Sequence, residues 1–291
     1  MQATVRRHDN AARPAIRMSA TGAGLGVLVL LATAFPAQAA PAIPEPPAAS
    51  ASGSAPSWRT QAPVAAASAG PLLAEAQQVY QSMKQTQYSH HYRIQPAQDR
   101  YIWDCIGFAG WAMRQATPNA WQAFHATMGI PASAAGHVGT WATFLSGTPG
   151  PSWQIIPTVP QLTGGEIMVI PGEVVIGGHI QYGSAAGTAQ YSGHVVIIAG
   201  EPLRLSDGSY AVFVYDSTAL PGHGAFDSRY TDARALPLAG TNRNSGTGFG
   251  TMRLTVDEQG RPTGVFWSAS TKRPISFQGQ PVLPILARPL N

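Results

Sequence analysis

From residue 72 to residue 128 the apolar side chains recur at helical spacing. Leu73, Ala76, Val79, Tyr80 and Met83 do so within 72–86, and 105–115 and 119–128 repeat the pattern. From residue 166 onward they come instead in short β-branched or aromatic runs, 166–170, 194–199, 210–215, 251–256 and 263–267, separated by Gly, Pro, Asp and Asn. Asp257-Glu258-Gln259-Gly260, between the last two runs, has the composition of a hairpin turn. A helical half followed by a series of strands predicts an α+β domain, with N-terminal helices packed on an antiparallel β-sheet. Residues 72–291 are enough chain for one such domain with a substantial core.

What precedes residue 72 reads differently. Arg6, Arg7, Arg13 and Arg17 are followed by an apolar run from Ala23 to Phe35 and then by Ala37-Gln38-Ala39. This is the pattern of a secretory signal peptide over 1–39, which implies an exported protein, periplasmic or secreted. Residues 40–71 are dominated by Ala, Pro and Ser and have too few large apolar side chains to offset chain entropy, so they read as a disordered linker. The formal charge of +4 falls to +1 once the four arginines and Asp9 of the leader are removed. No basic surplus remains to suggest a nucleic-acid partner. No stretch of the mature chain reaches the roughly 20 apolar residues that a membrane span needs.

Cysteine usage is the sharpest functional clue. An exported chain meets an oxidising compartment in which cysteines usually pair, yet Cys105 is the only one and has no intramolecular partner. A lone cysteine is often just a small buried hydrophobe, so its surroundings must decide. Asp104 is a favoured helix N-cap, and Phe108, Trp111 and Ala112 follow Cys105 at helical spacing, which puts the thiol in the first turn of a helix. There the unpaired backbone N–H groups and the positive end of the helix dipole favour a thiolate, the nucleophilic form.

A nucleophile of this kind needs a base. His194 opens the apolar strand Val195-Val196-Ile197-Ile198-Ala199, so its ring is expected at the sheet's rim, where the start of a helix packed across the sheet can meet it. The next strand ends in Asp216-Ser217-Thr218. If the two strands pair, Asp216 can receive the second ring nitrogen of His194 and set its tautomer, which gives the order Cys105, His194, Asp216. Taken alone, Asp-Ser-Thr after a strand is an ordinary turn, and a single His at a strand end is an ordinary polar residue.

Asp104-Cys105-Ile106-Gly107-Phe108, Gly164-Gly165-Glu166-Ile167-Met168-Val169-Ile170 and Ser192-Gly193-His194-Val195-Val196-Ile197 together resemble the nucleophile helix, the following strand and the base strand of the NlpC-type papain-like cysteine hydrolases. The resemblance covers roughly residues 85–270. It implies a helix packed on an antiparallel sheet, a Cys105 nucleophile, a His194 base, an orienting Asp216 and no cofactor or metal. Bacterial members commonly cut amide bonds in peptidoglycan stem peptides, so peptidoglycan or a peptide is the implied substrate. Ile106 stands where a small hydroxyl residue is usual, Gly165-Glu166 replaces the more usual Gly-Asp, and the 89-residue separation of Cys105 and His194 implies an insertion within 109–165.

Tyr88 and His90, upstream of the nucleophile, are candidate contacts to substrate or oxyanion, as are Asp104, Ser217 and His223. A helix C-terminus carrying histidines is the plainer reading of 86–91. His223 is a substrate contact or an alternative base. Two other functions compete. One is a catalytically inactive module of the same fold that binds cell-wall peptides or a partner protein. The other is a metal-dependent hydrolase built on His179, His194, His223 and Asp216, for which no zinc-type spacing is present.

Overall fold

The computed structural model describes residues 70–176, 179–182, 193–219, 222–277 and 280–291. The expected export signal lies outside these residues, as does the expected linker except for Gly70 and Pro71.

Helix α1 (Pro71–Ser82) starts on a proline, whose fixed φ suits the first helical position. The pattern predicted helix as far as residue 86, but the chain turns after Ser82 and Gln85–Tyr88 becomes strand β1. The reason is non-local: β1 runs parallel to β3 (Arg100–Trp103), with the short β2 (Arg93–Gln95) on the other side of β3. Thr86 also exchanges backbone hydrogen bonds with Arg234 and Leu236. Neither partner is visible to a local pattern.

Strand β3 leads directly into α2 (Cys105–Ala116), and α3 (Pro118–Met128) and α4 (Val138–Ser146) follow. The large sheet is then built from β4 (Trp153–Ile155), β5 (Ile167–Pro171), β8 (Gly193–Ile198), β9 (Leu203–Arg204), β10 (Tyr210–Thr218), β11 (Gly246–Val256), β12 (Pro262–Phe266) and β15 (Ile285–Pro289). Two small hairpins stand apart from it, β6 (Glu173–Ile176) with β7 (His179–Tyr182) and β13 (Ser276–Phe277) with β14 (Gln280–Pro281). The strand order is β12-β11-β10-β8-β5-β15-β4, with β9 beside β10, and every pairing is antiparallel. The expected α+β class with a large antiparallel sheet is therefore observed. Among the described residues no helix is long and apolar enough to cross a membrane.

Strand alternation divides the core into two. Ile167, Val169, Val195, Ile197, Phe213 and Tyr215 face the helices, where Trp103, Phe108, Trp121, Phe124, Trp141 and Trp153 join them. Met168, Ile170, Val196, Ile198, Val212 and Val214 fill the opposite face, under Val159, Leu162, Ile275 and Val282. Burial on both faces is why β5 and β8 read as unbroken apolar runs. Trp103, Trp121, Trp141 and Trp153 are thus core residues.

The first turn of α2 is held in place by buried polar bonds to the sheet. Trp103 Nε1 donates to Thr247 Oγ1 at 2.7 Å, Thr247 N–H donates to Thr86 Oγ1 at 2.8 Å, and Ser217 Oγ donates to the Trp103 carbonyl at 3.0 Å. Removing any one partner would strand a buried polar group. The start of α2 is therefore pinned to the ends of β10 and β11.

Candidate functional site

Asp104 ends the extended segment with φ −96° and ψ −171° and caps α2, its Oδ1 accepting Gly107 N–H at 2.8 Å. Cys105 is the first helical residue, and helix geometry leaves the N–H groups of Cys105 and Ile106 with no intrahelical acceptor. The carboxylate of Asp104 is otherwise fully engaged. Tyr92 Oη donates to Oδ1 at 2.7 Å, and His90 Nδ1 lies 2.8 Å from Oδ2.

His194 and Asp216 share the strand parity of Val196 and Val214, so they project from the sheet face opposite the helices, at the end where α2 begins. His194 Nε2 lies 2.6 Å from Asp216 Oδ2. Cys105 is coupled to the same ring through its charge and side chain, both of which raise the His194 pKa. Of the three residues that the sequence nominates in the order Cys105, His194, Asp216, the histidine and the carboxylate are in direct contact, and Cys105 influences the ring through its charge.

Electrostatics reinforce the geometry. Burial by itself would disfavour a charged His194, but the negative charge of Cys105 and the hydrogen bonds to Asp216 and Cys105 outweigh it and raise the pKa to about 9. Burial likewise opposes charge on Asp216, yet the Arg229 guanidinium, His223 and the His194 bond hold its carboxyl well below the usual range. Tyr88 is pushed upward by burial and then by the charges of Cys105, Asp104 and Asp216, so its hydroxyl keeps its proton and remains a donor. We expect the His194 ring, followed by ¹⁵N NMR, to titrate with a midpoint near 9, protonated below and neutral above. A midpoint near the ordinary 6.5 contradicts the coupling of His194 to Cys105.

A cavity of about 400 Å³ opens over the thiol. Tyr88, His90, Tyr92 and Asp104 line it together with His137, Val138 and Gly193. Tyr88 lies at the end of a strand and His90 just beyond it, so the helix C-terminus expected for this stretch is not formed. A larger groove of about 520 Å³, between the Asp207–Tyr210 turn and the Asp257–Gly260 hairpin, lies at the opposite end of β10 and is lined by carboxylates and hydroxyls but by neither cysteine nor histidine.

Two candidates are corrected. Ser217 follows Asp216, so alternation sends it to the helix face, where it is fully buried and serves Trp103 rather than the cavity. His223 is also fully buried and is not among the residues that line the cavity. Its Nε2 lies 3.0 Å from Asp216 Oδ2, the oxygen that His194 also contacts. His194, Asp216 and His223 bring ligand-type atoms within 4.8 Å of one another, but those atoms are already paired and Arg229 supplies the positive charge. The side chain of His179 lies outside the described ones.

Sequence reasoning missed three residues. Arg229 is wholly buried in a 3₁₀ turn (Ser228–Tyr230), with Nη1 2.6 Å from Asp216 Oδ1. Asp227 pairs with it from the same turn, Oδ2 accepting Arg229 Nη2 at 3.1 Å. Trp267 covers both histidine rings, its centroid 5.0 Å from that of His194 and 5.3 Å from that of His223. The only local signal was an Asp-x-Arg pair in a loop, which is usually a solvated surface pair. Comparison with protein-family models, curated proteins and solved structures finds nothing that matches this chain.

Proposed function

We propose that this protein is an exported cysteine hydrolase of the NlpC-type papain-like class that cleaves amide bonds, with peptidoglycan stem peptides as its substrate class. The observation that carries the reading is the His194–Asp216 hydrogen bond together with the electrostatic coupling of His194 to Cys105, which stands in the first turn of α2. The leader pattern of residues 1–39 supports an extracytoplasmic site of action.

The chemistry follows from the arrangement. The Cys105 thiolate attacks the carbonyl carbon, and the C=O electron pair moves onto oxygen. The resulting oxyanion is received by the free backbone N–H at the start of α2 and by the Tyr88 hydroxyl. As the C–N bond breaks, His194 Nδ1–H protonates the departing amine, leaving a thioester on Cys105. Water then attacks the thioester and gives one proton to His194. The C–S bond breaks, the acid is released and the thiolate–imidazolium pair is restored. Asp216 supports both steps by holding Nε2–H.

The test is incubation of the full chain, untreated or pre-alkylated with iodoacetamide, with purified peptidoglycan and short D,L-peptides, read by mass spectrometry. Cleavage products that disappear on alkylation are expected, together with alkylation of Cys105 near neutral pH far faster than that of a free thiol. Identical traces on every substrate would instead favour the module that binds wall peptides without turnover.

A further inference from the structure

We propose that His223 is a positioning residue, held with Arg229, Asp227 and Trp267 in a closed circuit that fixes which nitrogen of His194 faces Cys105. This inference rests on the hydrolase reading. The circuit runs through named bonds. Asp216 Oδ1 accepts from Arg229 Nη1 at 2.6 Å, and Arg229 Nη2 reaches Asp227 Oδ2 at 3.1 Å. That same Asp227 oxygen accepts the N–H groups of Gly222 and His223, at 2.9 and 3.3 Å. His223 Nε2 then returns to Asp216 Oδ2 at 3.0 Å.

Two imidazoles therefore share one carboxylate oxygen, His194 at 2.6 Å and His223 at 3.0 Å. A carboxylate held below its usual pKa only accepts, so each ring must carry a hydrogen on Nε2. With both oxygens occupied, Asp216 cannot rotate to offer His194 another geometry, and Nδ1 is left for the thiol. His223 Nδ1 is buried without a partner among the described residues, so the ring acts through Nε2 alone.

The surroundings show that room has been kept for this cluster. A Cβ on Gly250 would stand 2.5 Å from His223 Cβ, one on Gly248 2.7 Å from Arg229 Nη1, and one on Gly222 1.9 Å from Trp267 Nε1. All three are closer than real Cβ contacts come. Glycine at these positions lets β11 and the loop after β10 pass directly against the His223, Arg229 and Trp267 side chains. The Trp267 plane lies within 19° of His223, which keeps that ring facing the carboxylate.

The test compares the full chain with His223→Gln, which retains an N–H donor near Nε2, and His223→Leu, which fills similar volume without one. Proton-detected ¹⁵N NMR at pH 10, where His194 is neutral, reads its tautomer, and iodoacetamide at neutral pH reads Cys105. Wild type and His223→Gln are expected to show a single Nε2–H form of His194 and alkylation rates within about threefold of each other. His223→Leu is expected to show mixed tautomers and alkylation slowed about tenfold or more, the scale of one hydrogen bond to a charged group. A single Nε2–H form with a wild-type alkylation rate in His223→Leu overturns the proposal. If His223→Leu fails to fold, His223→Gln decides: a single tautomer supports the proposal and mixed tautomers overturn it. A wild-type thiol no faster than a free cysteine counts against the hydrolase reading, while the tautomer result still judges His223 by itself.

Discussion

Cys105→Ala is expected to remove amide hydrolysis almost entirely, a loss of about 10⁵–10⁶-fold, because among the described residues no second thiol and no serine or threonine lines the cavity. The fold should survive. Only the sulfur is lost, and the Asp104 cap, the Trp103–Thr247 bond and the Ser217–Trp103 bond that place the helix start do not involve it. The informative readout is His194. Burial disfavours its charged form, and the charge of Cys105 is the largest influence raising its pKa. Without that charge the titration midpoint should fall from about 9 toward or below the ordinary imidazole value. The ¹⁵N titration and product analysis should therefore change together in one variant. Hydrolysis that persists in Cys105→Ala would overturn the thiolate mechanism and return attention to metal or carboxylate chemistry.

Arg229→Leu is the variant expected to damage stability most. Arg229 is fully buried and pairs with both Asp216 and Asp227, so its removal strands two carboxylates away from water. Breaking a buried pair in this way costs about 3–5 kcal/mol, which for a domain of this size corresponds to roughly 10 °C in Tm. The sign of the pH dependence follows from Asp216. Its pKa is depressed in the folded state, so the stability it contributes is fully present above the unfolded value of 3.8 and is lost as pH falls through the lower folded value. In Arg229→Leu the stranded carboxylates are no longer held ionised by a cation. The gap in Tm between wild type and variant should therefore be widest above about pH 5 and should narrow below about pH 4. Calorimetry across that range checks it, and a variant within about 1 kcal/mol of wild type at neutral pH would show that the circuit carries little stability.

Helix α2 was readable because its signals are local: Asp104 caps it, and its apolar residues recur on one face. The runs that became β5, β8 and β10 were readable for the same reason, since strands buried on both faces must be continuously apolar. Strand β1 was not. Gln85–Tyr88 has no strand pattern of its own and is extended because β3 and residues 234–236 supply its hydrogen bonds. The error at Ser217 is of another kind. Its neighbour Asp216 contacts His194, and a period of two already sends adjacent strand residues to opposite faces.

By itself the sequence determined the class of domain, the position of a thiol in the first turn of a capped helix, and a histidine opening an apolar strand, because capping and periodicity act over a few residues. Only the tertiary structure decided that Asp216 would serve two imidazoles, that Arg229 and Asp227 would close the circuit behind it, and that Trp267 would cover the rings. A buried charge can persist only where several distant segments bring it enough partners, and which segments those are depends on the path of the whole chain.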